Sequence, residues 1–96
     1  MGYRIETLPQ YDEWFQEQPA KVQAQIEKRL MNIRDQEHFG HWKKLSDRLA
    51  EIKFNNGNRI YFATRVDRDG KVVVLLLGGN KNGQSKDIKK AEGLLD

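Results

Sequence analysis

The chain has 96 residues, 38% of them hydrophobic, with 17 lysines and arginines against 14 aspartates and glutamates. That length suits one small domain with a modest core, and the lack of cysteine excludes a disulfide framework or a thiolate metal site. No 18-residue apolar stretch and no apolar N-terminal segment is present, so no membrane role is expected and the expected compartment is the cytoplasm.

Charge is unevenly spread. Residues 1–42 hold five basic and seven acidic residues, and residues 43–96 hold twelve and seven. A basic half points to a polyanion such as RNA or DNA, or to a solvated lysine-rich surface. The histidines, His38 and His41, form no obvious metal-ligand set with the acidic residues of the sequence. Neither a metal nor a cofactor is expected.

Tyr3 to Leu8 alternates as a short strand. Thr7 stands three residues before Gln10, with Pro9 between them, which predicts a capping box and a helix start. Tyr11, Trp14 and Phe15 would form one aromatic face of that helix. Pro19 opens a second helix, and Val22, Ile26, Leu30 and Ile33 predict it over about 20–36. Gly40 is expected to end the connection.

Residues 41–47 read as a loop, with Trp42 packed beneath it. From Leu49 a strand pattern begins, with Ala50, Ile52 and Phe54 on one face and Glu51 and Lys53 on the other. "NNGN" at 55–58 is a turn signal. "RIYFATRV" then alternates, with Ile60, Phe62 and Val66 inward and Arg59, Tyr61 and Arg65 outward. "DRDG" at 67–70 turns the chain again. Val72 to Leu77 is apolar on both parities, which predicts a central strand covered on both faces. Gly78-Gly79 would end it and ease Lys81 towards an anion. It is not a P-loop, because Gln84 follows Gly83 where lysine is required. Ile88, Ala91 and Leu95 predict a helix from Gln84. The expected class is α+β, in the order β-α-α-β-β-β-α, with a helical hairpin and a C-terminal helix on a small antiparallel sheet.

In that arrangement Lys53 and Arg59 flank one turn. Like charges opposite each other on a sheet are unfavourable unless an anion lies between them. Lys81 would approach from the next strand end, Lys43 and Lys44 precede the hairpin, and Tyr61 would be available to stack a base. Solubilising residues on an exposed strand would leave the same pattern.

"RLAEIKF", "NGNRIYFATRVDRDGKVVVLLLGGNKNGQSKDIKKAEGLL" and the helical hairpin before them resemble the RelE/ParE superfamily of toxins from type II toxin–antitoxin modules. The likeness is to its HigB-like branch of addiction module killer proteins and covers essentially the whole chain. Arg59, Tyr61, Gly78, Gly79, Lys81, Gln84, Asp87, Ile88 and Ala91 fit the pattern. Lys53 stands where the family usually has arginine, and Asn80 where it often has aspartate. The resemblance implies a metal-independent endoribonuclease that cuts mRNA on the ribosome and is neutralised by a cognate antitoxin. Operator DNA would be met only through that antitoxin. The alternatives it leaves are a ParE-like inhibitor of DNA gyrase and a non-toxic binding module. Within the nuclease reading, Arg59 would stabilise the transition-state phosphate. Lys53 would act as base or hold phosphate, and Lys81 would hold phosphate or supply the acid. Lys43, Lys44, Tyr61, Gln84 and Lys86 would contact nucleic acid, with His41 a further candidate acid. The antitoxin is expected as a helix in a groove beside Tyr11, Trp14 and Phe15, near Lys28 and Arg29.

Overall fold

The computed structural model describes residues 2–95. Strand β1 (Arg4–Thr7) leads into helices α1 (Pro9–Gln16) and α2 (Ala20–Gln36). Four strands follow: β2 (Trp42–Lys44), β3 (Ala50–Lys53), β4 (Asn58–Asp67) and β5 (Gly70–Asn80). A short 3-10 turn (Lys81–Gly83) then joins β5 to helix α3 (Gln84–Gly93). The strands form one sheet in the order β1-β5-β4-β3-β2. The α+β class expected from the sequence holds.

The sheet is mixed rather than wholly antiparallel. β1 runs parallel to β5, from Arg4 opposite Val72 to Thr7 opposite Leu75. Parallel neighbours need a long crossover, and α1 and α2 begin one here. The second departure is β2, where the sequence suggested a loop. Trp42, Lys43 and Lys44 pair with Ile52, Glu51 and Ala50. All three are exposed, so no burial pattern marks them in the sequence. Two lysines on an outer strand also discourage further pairing.

The capping box does not form. Thr7 stays in β1, and Leu8 takes the cap position with no side-chain hydrogen bond. Its N–H donates instead to Leu75 O at 3.0 Å, so α1 starts from the sheet edge. At the end of α2, Glu37 takes the left-handed cap position, at φ 57°, and Gly40, three residues on, also has positive φ, at 70°. The N–H groups of Glu37 and His38 then bond back to Ile33 O and Asn32 O, which satisfies two terminal carbonyls.

Each face of the sheet has its own core. Under α1 and α2 lie Tyr11, Ile26, Leu30, Ile33, Ile52, Ile60, Phe62, Val73 and Leu75. Under α3 lie Leu49, Tyr61, Leu76, Leu77 and Ala91. A bulge opposite Tyr61 and Phe62 makes this possible. Tyr61 pairs with Leu77 and Phe62 with Leu75, so Leu76 is the extra residue. Both leucines thereby serve the α3 side.

The bulge also sets the two glycines, which lie within β5 rather than ending it. A Cβ on Gly78 would stand 2.0 Å from the Trp14 ring, and one on Gly79 would stand 2.1 Å from Asp87 Oδ2. One glycine admits the α1 aromatic on one face, and the next admits an α3 carboxylate on the other. Neither has positive φ, so close approach and not turn geometry requires them.

Candidate nucleic-acid interface

The expected cations do meet at one end of the sheet. Lys53 and Arg59 are direct cross-strand partners. The turn between them closes through Gly57 N–H to Phe54 O and Phe54 N–H to Asn58 O, both at 3.0 Å, with Gly57 at φ 96°. Lys81 N–H donates to Gly57 O at 2.8 Å. The methylenes of the Lys81 side chain lie over the same turn, 3.5 Å from where a Gly57 Cβ would stand. Asn80 holds the approach, its side chain accepting from Asn82 N–H at 3.2 Å and donating to Asn58 Oδ1 at 3.4 Å. Neither the Lys53 nor the Lys81 ammonium has a carboxylate partner among the described residues.

Arg59 is held differently. Its side chain is 14% exposed, and Nη1 donates to Asn58 O at 2.9 Å and Phe54 O at 3.4 Å. Nε lies 3.9 Å from Glu51 Oε1, too far for a hydrogen bond. Nη2 makes no hydrogen bond among the described residues. The fork is fixed by protein on two sides and available on the third.

Glu51 is the residue beside these cations that alternation misplaced. It was expected on an exposed face and is 1% exposed. Oε1 accepts from Gln84 Nε2 at 2.7 Å, while Oε2 has no partner. A buried carboxylate is costly unless paired, so the Arg59 charge and the Gln84 amide offset its burial. Gln84, expected at the nucleic acid, therefore turns inwards and ties the start of α3 to β3.

Tyr61 corrects a second expectation. Its ring is 0% exposed beneath α3, so it has no face to offer a base. Desolvation, then Asp87 and Glu51, push its hydroxyl up to about 12, with Arg59 opposing. That hydroxyl has no hydrogen-bond partner among the described residues. Burial likewise pushes the Asp87 carboxyl above its ordinary value, against Lys90 and Lys86. The signal for both misplacements was present in the sequence. A central strand apolar on both parities means that the Glu51/Tyr61 face is covered too.

The remaining candidates spread out. Lys43 stands opposite Glu51 on β2, exposed and on the α3 side. Lys44 belongs to the other face, opposite Ala50. Lys86 is exposed on the first turn of α3. His38 and His41 are exposed on the connection before β2. Among the described residues no group of three or more histidines and carboxylates is placed to hold a metal, and no helix is long and apolar enough to cross a membrane.

The aromatic face expected to receive a partner helix is used by the sheet. Tyr11 is buried, and Trp14 and Phe15 pack against the same core. Arg29 is engaged as well. Its Nη1 donates to Lys53 O at 3.2 Å and Phe39 O at 3.4 Å, and its guanidinium lies 4.5 Å from the Phe54 ring centre.

Residues 13–95 match the family described as phage derived protein Gp49-like (DUF891). The chain belongs to that family. Gp49-like proteins are associated with toxin–antitoxin modules. A protein of Haemophilus influenzae (strain ATCC 51907 / DSM 11121 / KW20 / Rd), described as uncharacterized, is 30% identical over 95 residues, covering 96% of this chain and 92% of the relative. The Gp49-like match takes in every element from α2 onwards, and with them all the cations at the Gly57 turn.

Proposed function

We propose that this Gp49-like protein is the toxin of a HigB-like toxin–antitoxin pair and acts as a metal-independent endoribonuclease on translated mRNA. The observation that carries the reading is the meeting of Lys53, Arg59 and Lys81 at one turn, with no carboxylate for either lysine among the described residues. Such a cluster is electrostatically unfavourable alone and favourable around a phosphate.

Cleavage needs a base to take the 2′-hydroxyl proton. The 2′-oxygen then attacks phosphorus and displaces the 5′-oxygen, which an acid protonates. The balance is a 2′,3′-cyclic phosphate on one fragment and a free 5′-hydroxyl on the other. Lys53 takes the first proton, and Lys81 supplies the second. The Nη2 edge of Arg59, unpartnered among the described residues, would face the charge that develops on phosphorus, with Nη1 already held by two carbonyls. Lys43 extends the cationic face along the nucleic-acid backbone, and Lys86 and Lys44 add longer-range attraction. A cognate antitoxin is the expected protein partner.

The test is to map new transcript 5′ ends within minutes of inducing the chain alone. Fresh ends inside reading frames are expected. Arg59→Ala and Lys81→Ala should each reduce them by about a hundredfold or more while the protein stays folded. Growth arrest without new ends would replace the nuclease by a gyrase inhibitor. No arrest would leave a non-toxic binding module.

A further inference from the structure

Glu51 is a buried charge that the cleavage steps leave without a task. It stands on β3 opposite Tyr61, on the face that α3 covers, and is 1% exposed. Its hydrogen bonding is half complete. Oε1 accepts from Gln84 Nε2 at 2.7 Å, and Oε2 has no partner among the described residues. A glutamine of the same length could accept that bond without the cost of burying a charge. What glutamine would lack is the charge itself.

The charge is aimed at the site's arginine. The Oε1 held by Gln84 is the same atom that lies 3.9 Å from Arg59 Nε. That is an ion pair and not a hydrogen bond, but its partners are only 1% and 14% exposed, so water and salt screen it weakly. The guanidinium is therefore drawn from two sides. Nη1 donates to the carbonyls of Asn58 and Phe54, and Nε faces the carboxylate. The group is planar, so with two corners held the third edge, Nη2, has a set direction. Gln84 opens α3 directly after the Lys81–Gly83 turn. The amide that holds Glu51 thus belongs to the short stretch that carries Lys81.

We propose that Glu51 is a positioning residue for Arg59. Its carboxylate, set by Gln84, holds the Nη2 edge outwards and fixes that edge relative to the Lys81 turn. What the edge meets, a phosphate under attack, rests on the nuclease reading; the holding itself does not. Glu51 touches neither substrate nor reacting atoms and moves no proton. Its negative charge works against anion binding, so its removal separates attraction from orientation.

The experiment compares the full chain with its Glu51→Gln variant by two readouts. In side-chain NMR, Arg59 Nε–H is expected to lose protection from solvent exchange. In cleavage of a translated mRNA on ribosomes, kcat is expected to fall about tenfold or more, with KM unchanged or lower. Gln84→Met removes the amide and keeps the length, and is expected to shift both readouts the same way by less. Added to Glu51→Gln it should change nothing further, because the two act in series through one oxygen. If Glu51→Gln fails to fold, Gln84→Met carries the test by the same readouts. The proposal is overturned if protection and kcat are both unchanged while the melting temperature falls, because Glu51 would then only balance a buried charge. A raised KM at constant kcat, or additive losses in the double variant, overturns it equally. If the parent chain cuts no mRNA, the nuclease reading fails, and the Arg59 Nε–H protection decides the positioning by itself.

Discussion

The two faces of the sheet solve the same packing problem with different materials. Beneath α1 and α2 the contacts are almost wholly apolar, from Ile26 and Ile33 across to Ile52, Ile60 and Leu75. Beneath α3, Leu49, Leu76, Leu77 and Ala91 share the space with Glu51, Tyr61 and the inward-turned Gln84. Among the described residues, Glu51 Oε2, Arg59 Nε and Tyr61 OH are buried there without a hydrogen-bond partner, against Tyr11 OH on the other face. An apolar face adds stability in proportion to the area it removes from water. A half-satisfied polar face costs stability and in return holds charged groups in fixed positions. The hairpin face should therefore dominate unfolding, while the α3 face should dominate chemistry.

Ile60 and Tyr61 are adjacent on β4 and point to opposite faces, so they give the sharpest contrast. Ile60→Ala should cost about 2–5 kcal/mol in urea unfolding, because it leaves a cavity in the apolar core. Tyr61→Phe removes only an unpartnered hydroxyl and should change stability by less than about 1 kcal/mol, in either direction. If Tyr61→Phe costs as much as Ile60→Ala, the α3 face is as fully satisfied as the other and the contrast fails.

Gly78 and Gly79 repeat the comparison at smaller scale. Gly78→Ala drives a methyl into the rigid Trp14 ring and should cost about 1–3 kcal/mol. Gly79→Ala meets the end of the Asp87 side chain, which can rotate away, so its cost should be the smaller of the two in the same thermal melts. The reverse order would place the tighter packing under α3.

The smallest effect is one of pH. Asp87 has its carboxyl raised by burial, so the folded state holds that proton more tightly than the unfolded one. The charged form therefore costs stability, fully so above the folded pKa, and the cost disappears as pH falls through the window between the raised value and the ordinary one. Asp67 has the opposite sign. Arg4 and the Asp69 N–H hold it down to about 2, so its contribution is present above the ordinary carboxylate range and is lost as pH falls towards that value. Asp87→Asn should thus raise stability at neutral pH and leave it unchanged well below the ordinary carboxylate range. Asp67→Asn should lower it at neutral pH and converge with the parent only in strong acid. Melting curves across pH distinguish the two.

The sequence made the apolar framework easy to read and the covered polar face hard. Val22, Ile26, Leu30 and Ile33 repeat at helical spacing because only one side of α2 meets the sheet, and the bounds of α2 follow. Lys53 and Arg59 were placed across one turn because "NNGN" fixes the hairpin register. Alternation reports which residues share a face, and says nothing of whether that face is wet. Glu51 and Tyr61 were therefore grouped correctly and exposed wrongly. β2 escaped because an edge strand held by backbone pairing needs no hydrophobic pattern. The parallel placement of β1 depends on a partner from the far end of the described chain, which no local window can contain.

That long-range pairing makes β5 the strand on which the rest of the fold depends. β5 supplies Val73 and Leu75 to one core and Leu76 and Leu77 to the other, and it is the strand on which β1 docks. Neither core is complete without β5, so α1, α2 and the β3–β4 hairpin are expected to lack stable tertiary packing until it docks. Contacts of such sequence separation slow the search and make it cooperative. Any truncation that removes Val72–Leu77 should leave a chain with no stable part at all, rather than a folded remnant missing one strand.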